Sequence, residues 1–509
     1  MRILIICYIV LLFKDGNSQI INPKIWYVGY QTYDKKDTNT LDTAYNIVSH
    51  GANVLNFKKS PLSISRYGYS LSLGACNAQI YDKNDSLILY SNGSKVFNGR
   101  HRLIDGGDRL SYGSDWNTSP FAGNYFGEYV IRAYPSPLLI LPSVSNSNQY
   151  YIFSVFINSD NTYFPKLTYS MVDMSLNGGK GKVIEKEVLI KAGDFTPAIT
   201  ACKHGNGRDW WIIAREYGKT NFTLLLLNES GVKVFSENQL SAWDLSDRSP
   251  SKGNNSNKFS WNGGMFASFT HLGIEFFDFN RCTGELSSPR YVKIPYNDSF
   301  PSSVGGCFSS KDNMLYTSNL GYLYQIELKD LKVRKIANWD RYEDTMKGAN
   351  YGWFTNFGSC QLSINGKIYF STGEATRYMH TIENPNDTGI LCNFKQRSVK
   401  LLTWNNGVPH YPNYELGAVA DKCGESGIAR NELDKIEVYP NPASSYVSLV
   451  GISPIKLIHY RIFDLLGKVL SQGETMKEID LSSLSNGHYF ITLLDDSFRQ
   501  VTKRIEVRR

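Results

Sequence analysis

Three carboxylates, Asp209, Glu216 and Glu275, are the residues of this chain best placed to do acid–base chemistry. Glycoside hydrolysis needs two such groups converging on one pocket, one to protonate the leaving oxygen and one to attack or to activate water. His204 is close to Asp209 and Glu216 in sequence, but no serine occupies a G-x-S-x-G elbow, and a turn histidine more often serves as a solvated hydrogen-bonder. Asp82-Lys83-Asn84-Asp85 sets two acids beside a turn without the Asp-x-Asp-x-Asp-Gly order of a calcium loop, so an ordinary β-turn is expected. With no C-x-x-C, no Cys/His zinc spacing and no H-E-x-x-H, no metal and no cofactor is expected. Trp210, Trp211 and Trp353 are candidate ligand contacts that could stack a sugar, although aromatics at alternate positions usually pack a neighbouring sheet. No catalytic residue is assigned, and the chain is not expected to be an enzyme.

Whatever positions these groups is built from strands. The chain has 509 residues, 42% of them apolar and 13% aromatic, with 33 Tyr and 26 Phe, a bias that suits half-buried pleated surfaces. The formal net charge of +7 is dispersed, without a dense Lys/Arg cluster, so no nucleic-acid partner is expected. Arg2 precedes an apolar run from Ile3 to Phe13, with Gly16 and Ser18 as small residues before a cleavage point, so residues 1–18 read as a secretory signal peptide. No later segment is apolar for long enough to span a bilayer as a helix. Export leaves seven cysteines in an oxidising compartment, an odd number. Proximity in sequence favours Cys282 with Cys307 and Cys360 with Cys392, with connectivity otherwise open.

A repeat of a strand, an Asn/Asp/Gly turn and an aromatic strand runs through the middle. It begins at Cys202, Cys307 and Cys360, which align without gaps as far as Trp211, Tyr316 and Tyr369. Further copies lie at Trp261–Phe266, Asn146–Phe153 and Asp82–Tyr90, giving six hairpin units. Units of three to four strands with no helical pattern between them are what a β-propeller requires. Ile25–Tyr30, Val54–Phe57 and Val399–Leu402 are expected to make a seventh, composite blade, closing the ring and removing its exposed edges. The expected fold is thus all-β: a six- or seven-bladed β-propeller over residues 19–420, a linker over 421–432, and a small immunoglobulin-like β-sandwich over 433–509.

The last segment carries three ordered motifs. They are Tyr439-Pro440-Asn441-Pro442, Asp464-Leu465-Leu466-Gly467-Lys468, and Ile479 to Phe490 with Asn486-Gly487 at its turn. Together they resemble the C-terminal sorting domain of type IX secretion substrates in Bacteroidetes. The resemblance implies passage to the periplasm, transfer across the outer membrane by the type IX machinery, and removal of the tail by a sortase, often with attachment to surface lipopolysaccharide. Asp82–Asn92, Asn206–Trp211, Asn365–Tyr369 and Asn384-Pro385-Asn386 resemble the N-terminal repeat domain of many such surface proteins, which implies a fold without a settled activity.

The expected function is that of a secreted or surface-attached protein whose propeller binds an extracellular protein or glycan. The loops Asn98–Asn124 and Ser241–Asn257 would supply contacts. The alternative is a secreted, glycoside-hydrolase-like enzyme with a carboxylate pair at the propeller mouth. Convergence of two carboxylates there distinguishes the two.

Overall fold

The computed structural model describes residues 20–30, 51–67, 73–110, 138–156, 164–216, 219, 221–240, 256–270, 273–295, 305–345, 352–419, 423, 436–450, 457–464, 469–474, 478–495 and 500–509. The expected signal peptide and most of the expected linker lie outside them. Two compact units divide the chain, Met1–Lys422 and Cys423–Arg509.

In the first unit six four-stranded antiparallel sheets follow one another, and the unit is a β-propeller. Sheet 1 takes the order Ile20–Ile21, Ala78–Asp82, Leu87–Ser91, Val96–Asn98. Sheet 2 is Leu138–Pro142, Gln149–Phe156, Phe164–Asp173, Lys182–Phe195, and sheet 3 is Thr200–Lys203, Trp210–Arg215, Asn221–Asn228, Gly231–Leu240. Sheet 4 is Ser256–Phe259, Met265–Phe269, Gly273–Phe279, Leu286–Lys293, and sheet 5 is Gly305–Phe308, Met314–Ser318, Tyr322–Glu327, Lys332–Asn338. Sheet 6 is Cys360–Leu362, Ile368–Phe370, Thr376–Ile382, Phe394–Asn405. A three-stranded sheet, Ile25–Tyr30, Gly51–Asn56 and Ser63–Tyr67, packs between sheets 6 and 1. Its Trp26 and Phe57 meet Tyr369 of sheet 6 edge-on, and its Tyr27 carbonyl accepts from Asn77 and Gln79 beside and within sheet 1.

Turn chemistry explains the repeat. The hairpin between the first two strands is closed by Ser260 N–H to the Met265 carbonyl in sheet 4, and by Ser309 N–H to the Met314 carbonyl in sheet 5. Gly207, Gly263 and Gly366 hold φ of 74°, 75° and 79° in the equivalent turns, where a β-carbon is unfavourable. At Gly263 an added β-carbon would also come 2.6 Å from the Cys202 sulfur of the neighbouring sheet. Neighbouring sheets bury aromatic faces against one another. Phe222 of sheet 3 meets Phe266 and Phe277 of sheet 4 at 5.3 and 5.6 Å, each edge-on and nearly inaccessible to water. Burying each such ring contributes about 1.5–3 kcal/mol, which is how a sheet hydrophobic on both faces is stabilised only inside a stack.

Three expectations are corrected. Val399–Leu402 belongs to the outer strand of sheet 6, where Val399 pairs with Met379, and the third strand beside Ile25–Tyr30 and Gly51–Asn56 is Ser63–Tyr67. The Asp82–Tyr90 hairpin joins the second and third strands of sheet 1, not the first and second, because Ile20–Ile21 supplies the first strand from far upstream. Cys307, Cys360 and Cys392 are buried free thiols while Cys282 is disulfide-bonded, so neither Cys282–Cys307 nor Cys360–Cys392 forms.

The second unit is a small β-sandwich. Glu437–Tyr439, Tyr446–Val450 and Glu478–Asp480 form one sheet, and Val469–Glu474, Leu457–Phe463, Gly487–Asp495 and Gln500–Val507 the other. Their alternate apolar residues, among them Val447, Leu449, Ile462, Ile491 and Ile505, make one core.

Candidate functional site

The three candidate carboxylates do not come together. Asp209 lies in the first hairpin of sheet 3, where its Oδ2 accepts from Asn206 Nδ2 and its Oδ1 pairs with Arg208 Nε at 2.9 Å. Glu216, at the other end of that strand, is held by Lys191 at 2.9 Å and Lys219 at 2.6 Å, and these cations draw its pKa down against the opposing effect of burial. Glu275 is fully buried and pairs with Arg215 at 2.9 Å across the interface of sheets 3 and 4. Each is committed to a structural cation. His204 is also structural: its Nδ1 accepts the Asn206 N–H, and burial depresses its pKa. Asp82 caps its own turn through the N–H groups of Asn84 and Ser86.

Trp210 and Trp211 are each 1% exposed, so neither offers a face to a ligand. Trp211 Nε1 donates to the Arg281 carbonyl at 2.7 Å, and Trp210 stands edge-on to Tyr414. Trp353 is different. It lies in a two-stranded insertion, Glu343–Thr345 with Gly352–Phe354, between sheets 5 and 6. Trp404 sits edge-on at 6.4 Å, Tyr342 meets Tyr378 at 5.9 Å under the Arg397 guanidinium, and Phe354 meets Trp339 at 5.2 Å. Tyr342 and Phe354 are exposed. Arg377 fastens the insertion through its ion pair with the buried Asp344. The ribbon thus carries aromatic side chains on both of its faces, Trp353 on one and Phe354 on the other.

The axis of the ring is filled by the chain itself. From Asn405, which pairs with Thr376 at one face, residues 407–416 pass through the centre to Val419, whose N–H bonds the Gly205 carbonyl at the other face. Residues in or beside sheets 1 to 4 and 6 hold it. His410 N–H donates to the Asn77 carbonyl, Tyr414 OH to Ile140 at 2.7 Å, and Tyr411 OH to Leu362 at 2.9 Å. Lys203 Nζ donates to the Tyr414 carbonyl and Asn413 Nδ2 to that of Trp261. At the core Lys258 Nζ donates to Gln361 Oε1 and to His410 Nδ1 at 3.0 Å, leaving His410 Nε2–H to donate to the Ile199 carbonyl. Burial and the Lys258 charge hold His410 neutral, far below the ordinary histidine pKa. Beside Lys258 only about 40 Å³ stays open, lined by Cys307, Gln361, Tyr411 and their neighbours. Sequence reasoning treated Pro409 and Pro412 as punctuation. The signal for a plug was the apolar and aromatic content around them, Val408, Tyr411 and Tyr414.

In the sandwich the motif residues and the extreme C-terminus interlock. Asn441 Oδ1 accepts the Glu506 N–H and its Nδ2 donates to the Arg504 carbonyl, fixing the first motif to the terminal strand. Arg509 N–H donates to Asn486 Oδ1, and its guanidinium donates to the carbonyls of Ser444, Leu481 and Ser482 at 2.8–3.0 Å. Arg509, with the Arg508 N–H donating to the Ala443 carbonyl, therefore serves as a clasp. Tyr439 is 68% exposed. Asp464 is half-buried at the end of its strand, and Gly467 and Lys468 lie outside the described residues.

Residues 437–508 match the secretion system C-terminal sorting domain. The sorting domain marks the chain for the type IX secretion system, with the cell surface or extracellular space as its destination. No helix among the described residues is long and apolar enough to cross a membrane. No curated protein matches the chain. Among solved structures, a putative 6-phosphogluconolactonase from Bacteroides uniformis is 10% identical, covering 76% of this chain and 98% of its own, with a TM-score of 0.41. The periplasmic gluconolactonase of Pseudomonas aeruginosa is 10% identical over 75% of this chain and 98% of its own, at 0.42. A β-propeller domain from Myceliophteria thermophila is 10% identical over 73% and 96%, at 0.28.

Proposed function

We propose that the propeller is a binding scaffold delivered outside the cell by its sorting domain, and that it engages a glycan or protein through one face of the ring. The filled axis is the observation that carries this reading. Pockets that enclose a small substrate measure about 300–1,000 Å³, whereas the space left beside Lys258 is about 40 Å³. Among the described residues the axis thus leaves no room for such a substrate, which favours the rim as the place where a ligand is met. Because the strands of each sheet alternate in direction, the crossovers between sheets emerge on the same face as the turns between second and third strands, opposite the Asn-Gly hairpins. The Trp353 insertion, between the last strand of sheet 5 and the first of sheet 6, belongs to that crossover face. Residues 111–124 and 241–255 lie outside the described residues. The exposed Tyr342 and Phe354 and the half-buried Trp353 give it aromatic surface, which suits both sugar rings and peptide side chains. Residues 1–18 would be removed on export, and the motif around Tyr439, Asn441, Asp464, Gly467, Lys468 and Asn486 would be read by the secretion machinery and its sortase.

The full exported chain, applied to a glycan array and to pull-down from the extracellular fraction, tests this. Replacing Trp353 by Ala should weaken whatever is retained by at least about 30-fold, the loss expected of an aromatic anchor. Cleavage of polysaccharide without retention of any ligand would overturn the scaffold reading.

A further inference from the structure

The Cys307 and Cys360 thiols meet because of a one-residue difference between two hairpins. In sheet 5, Cys307 pairs across the strand with Tyr316, and the turn is closed from Ser309 to Met314. In sheet 6 the turn is closed from Ser363 to Lys367, one residue tighter, so Gln361 takes the place opposite Tyr369 and Cys360 falls opposite Phe370. A shift of one residue turns a strand side chain to the other face of its sheet. Cys307 accordingly points with Met314 and Tyr316 toward sheet 6, while Cys360 points with Leu362, Ile368 and Phe370 toward sheet 5, and all seven share one buried cluster. In the folded ring Cys307 Sγ donates to the Phe308 carbonyl at 3.4 Å, and the neighbouring Cys360 thiol and Lys258 ammonium draw the Cys307 pKa down against burial. The hydrogen-bond partners described for Lys258 are the neutral Gln361 and His410, so its charge acts on the sulfur without a neutralising carboxylate bonded to it.

The geometry points to Cys307 and Cys360 as a latent disulfide that staples the inner strands of sheets 5 and 6 once the chain is exported. While the ring is still open, the thiolate of one of the two cysteines would displace one sulfur of an external disulfide, and the thiolate of the other would then resolve the mixed intermediate. One S–S bond forms, the external disulfide is reduced to two thiols, and the two protons from the protein cysteines pass to those leaving sulfurs. The oxidant is a thiol–disulfide oxidoreductase of the compartment crossed during export. With open volumes of only about 40 Å³ beside Cys307 and about 10 Å³ beside Cys360, such a protein reaches them before the ring has closed, not after. The staple rests on the export route and is independent of which ligand the rim binds.

The exported full-length protein, unfolded in guanidinium with N-ethylmaleimide and digested without reductant, should yield a Cys307–Cys360 cross-linked peptide lighter by two hydrogens than the sum of its parts. Cys76, Cys202 and Cys392 should carry the label. Protein made in a reducing cytosol should carry label on Cys307 and Cys360 as well. Label on both cysteines in the exported protein, or a Cys360–Cys392 peptide, would overturn the staple. A second readout is thermal: reductant should lower the Tm of the wild type by several degrees more than that of Cys307→Ala or Cys360→Ala. The same drop in all three would also overturn it. If the variants do not fold, the peptide map of the wild type decides alone.

Discussion

Arg215 is a guanidinium with no access to water, placed over the Phe222 ring at 4.9 Å and bonded to Glu275 at 2.9 Å and to the Lys219 carbonyl at 3.3 Å. Removing one charge of such a pair leaves the other buried and uncompensated, which costs about 3–5 kcal/mol, whereas replacing both by apolar groups is often neutral or better. Glu275→Gln should therefore lower the urea midpoint sharply, and Arg215→Met with Glu275→Leu should restore most of it; a double variant no better than the single would refute the pairing argument. His380 gives a pH dependence of definite sign. It is fully buried, its Nδ1 accepts the Arg397 N–H, and burial pushes its pKa down to about 4. The unfolded chain binds a proton near pH 6.5 while the folded chain does not, so stability falls as pH drops from about 6.5 to about 4, by roughly 3 kcal/mol in total. Urea titrations across that range should show the loss, and His380→Gln should flatten this component. At this scale the sequence singled out acids whose ion-pair partners it did not name. Asp209, Glu216 and Glu275 were conspicuous as acids, and Arg208 and Lys219 stand close by in sequence, but Lys191 and Arg215, which hold Glu216 and Glu275, come from neighbouring sheets and no spacing rule marks them.

The strands were legible because each hairpin repeats its own turn chemistry, with Asn-Gly or Asp at a positive-φ position before an aromatic strand. What escaped is set by distances of one residue or of several hundred. The tighter turn of sheet 6 hid the true register behind an ungapped match from Cys307 to Cys360. Ile20–Ile21 completes sheet 1 from far upstream, and Asn22 Nδ2 bonds Asn413 at its far end. The plug is the largest such case, because its partners are scattered over sheets 1 to 4 and 6. Those contacts make a prediction for the element. Tyr414→Phe loses one buried hydrogen bond to Ile140 and should cost about 1–3 kcal/mol, since the carbonyl is left unpaired. Replacing 408–414 by a Gly/Ser run removes the Val408, Tyr411 and Tyr414 packing as well, and should lower Tm by far more while opening the axis to a polarity-sensitive dye. A run that left Tm unchanged would show that the ring stands without its plug.

For the whole molecule, destination and activity are written in different units. The tail was readable because export motifs are local: Tyr439-Pro440-Asn441-Pro442 and Asn486-Gly487 are contiguous in sequence and carry their meaning there. The ligand was not, because a propeller face is assembled from loops far apart in the chain. The tail's stability is a separate quantity, since a sandwich of this size holds only about 3–5 kcal/mol. The Arg509 guanidinium donates to three carbonyls and its backbone N–H to Asn486, tying the end of the last strand to the turns at Ser444, Leu481 and Asn486. Deleting residues 433–509 should leave the propeller folded and cell-retained. Arg509→Ala should loosen the tail, lowering the extracellular fraction while the main melting transition of the propeller stays where it was. Arg509→Lys, which keeps the charge but not the fork of donors, should fall between the two. Immunoblots of cell and medium fractions, read beside calorimetry of each purified variant, separate the outcomes. Wild-type secretion of the truncated chain would mean that the tail is not the export signal, and unimpaired secretion of Arg509→Ala with a destabilised sandwich would mean that the machinery reads the motifs without needing them folded.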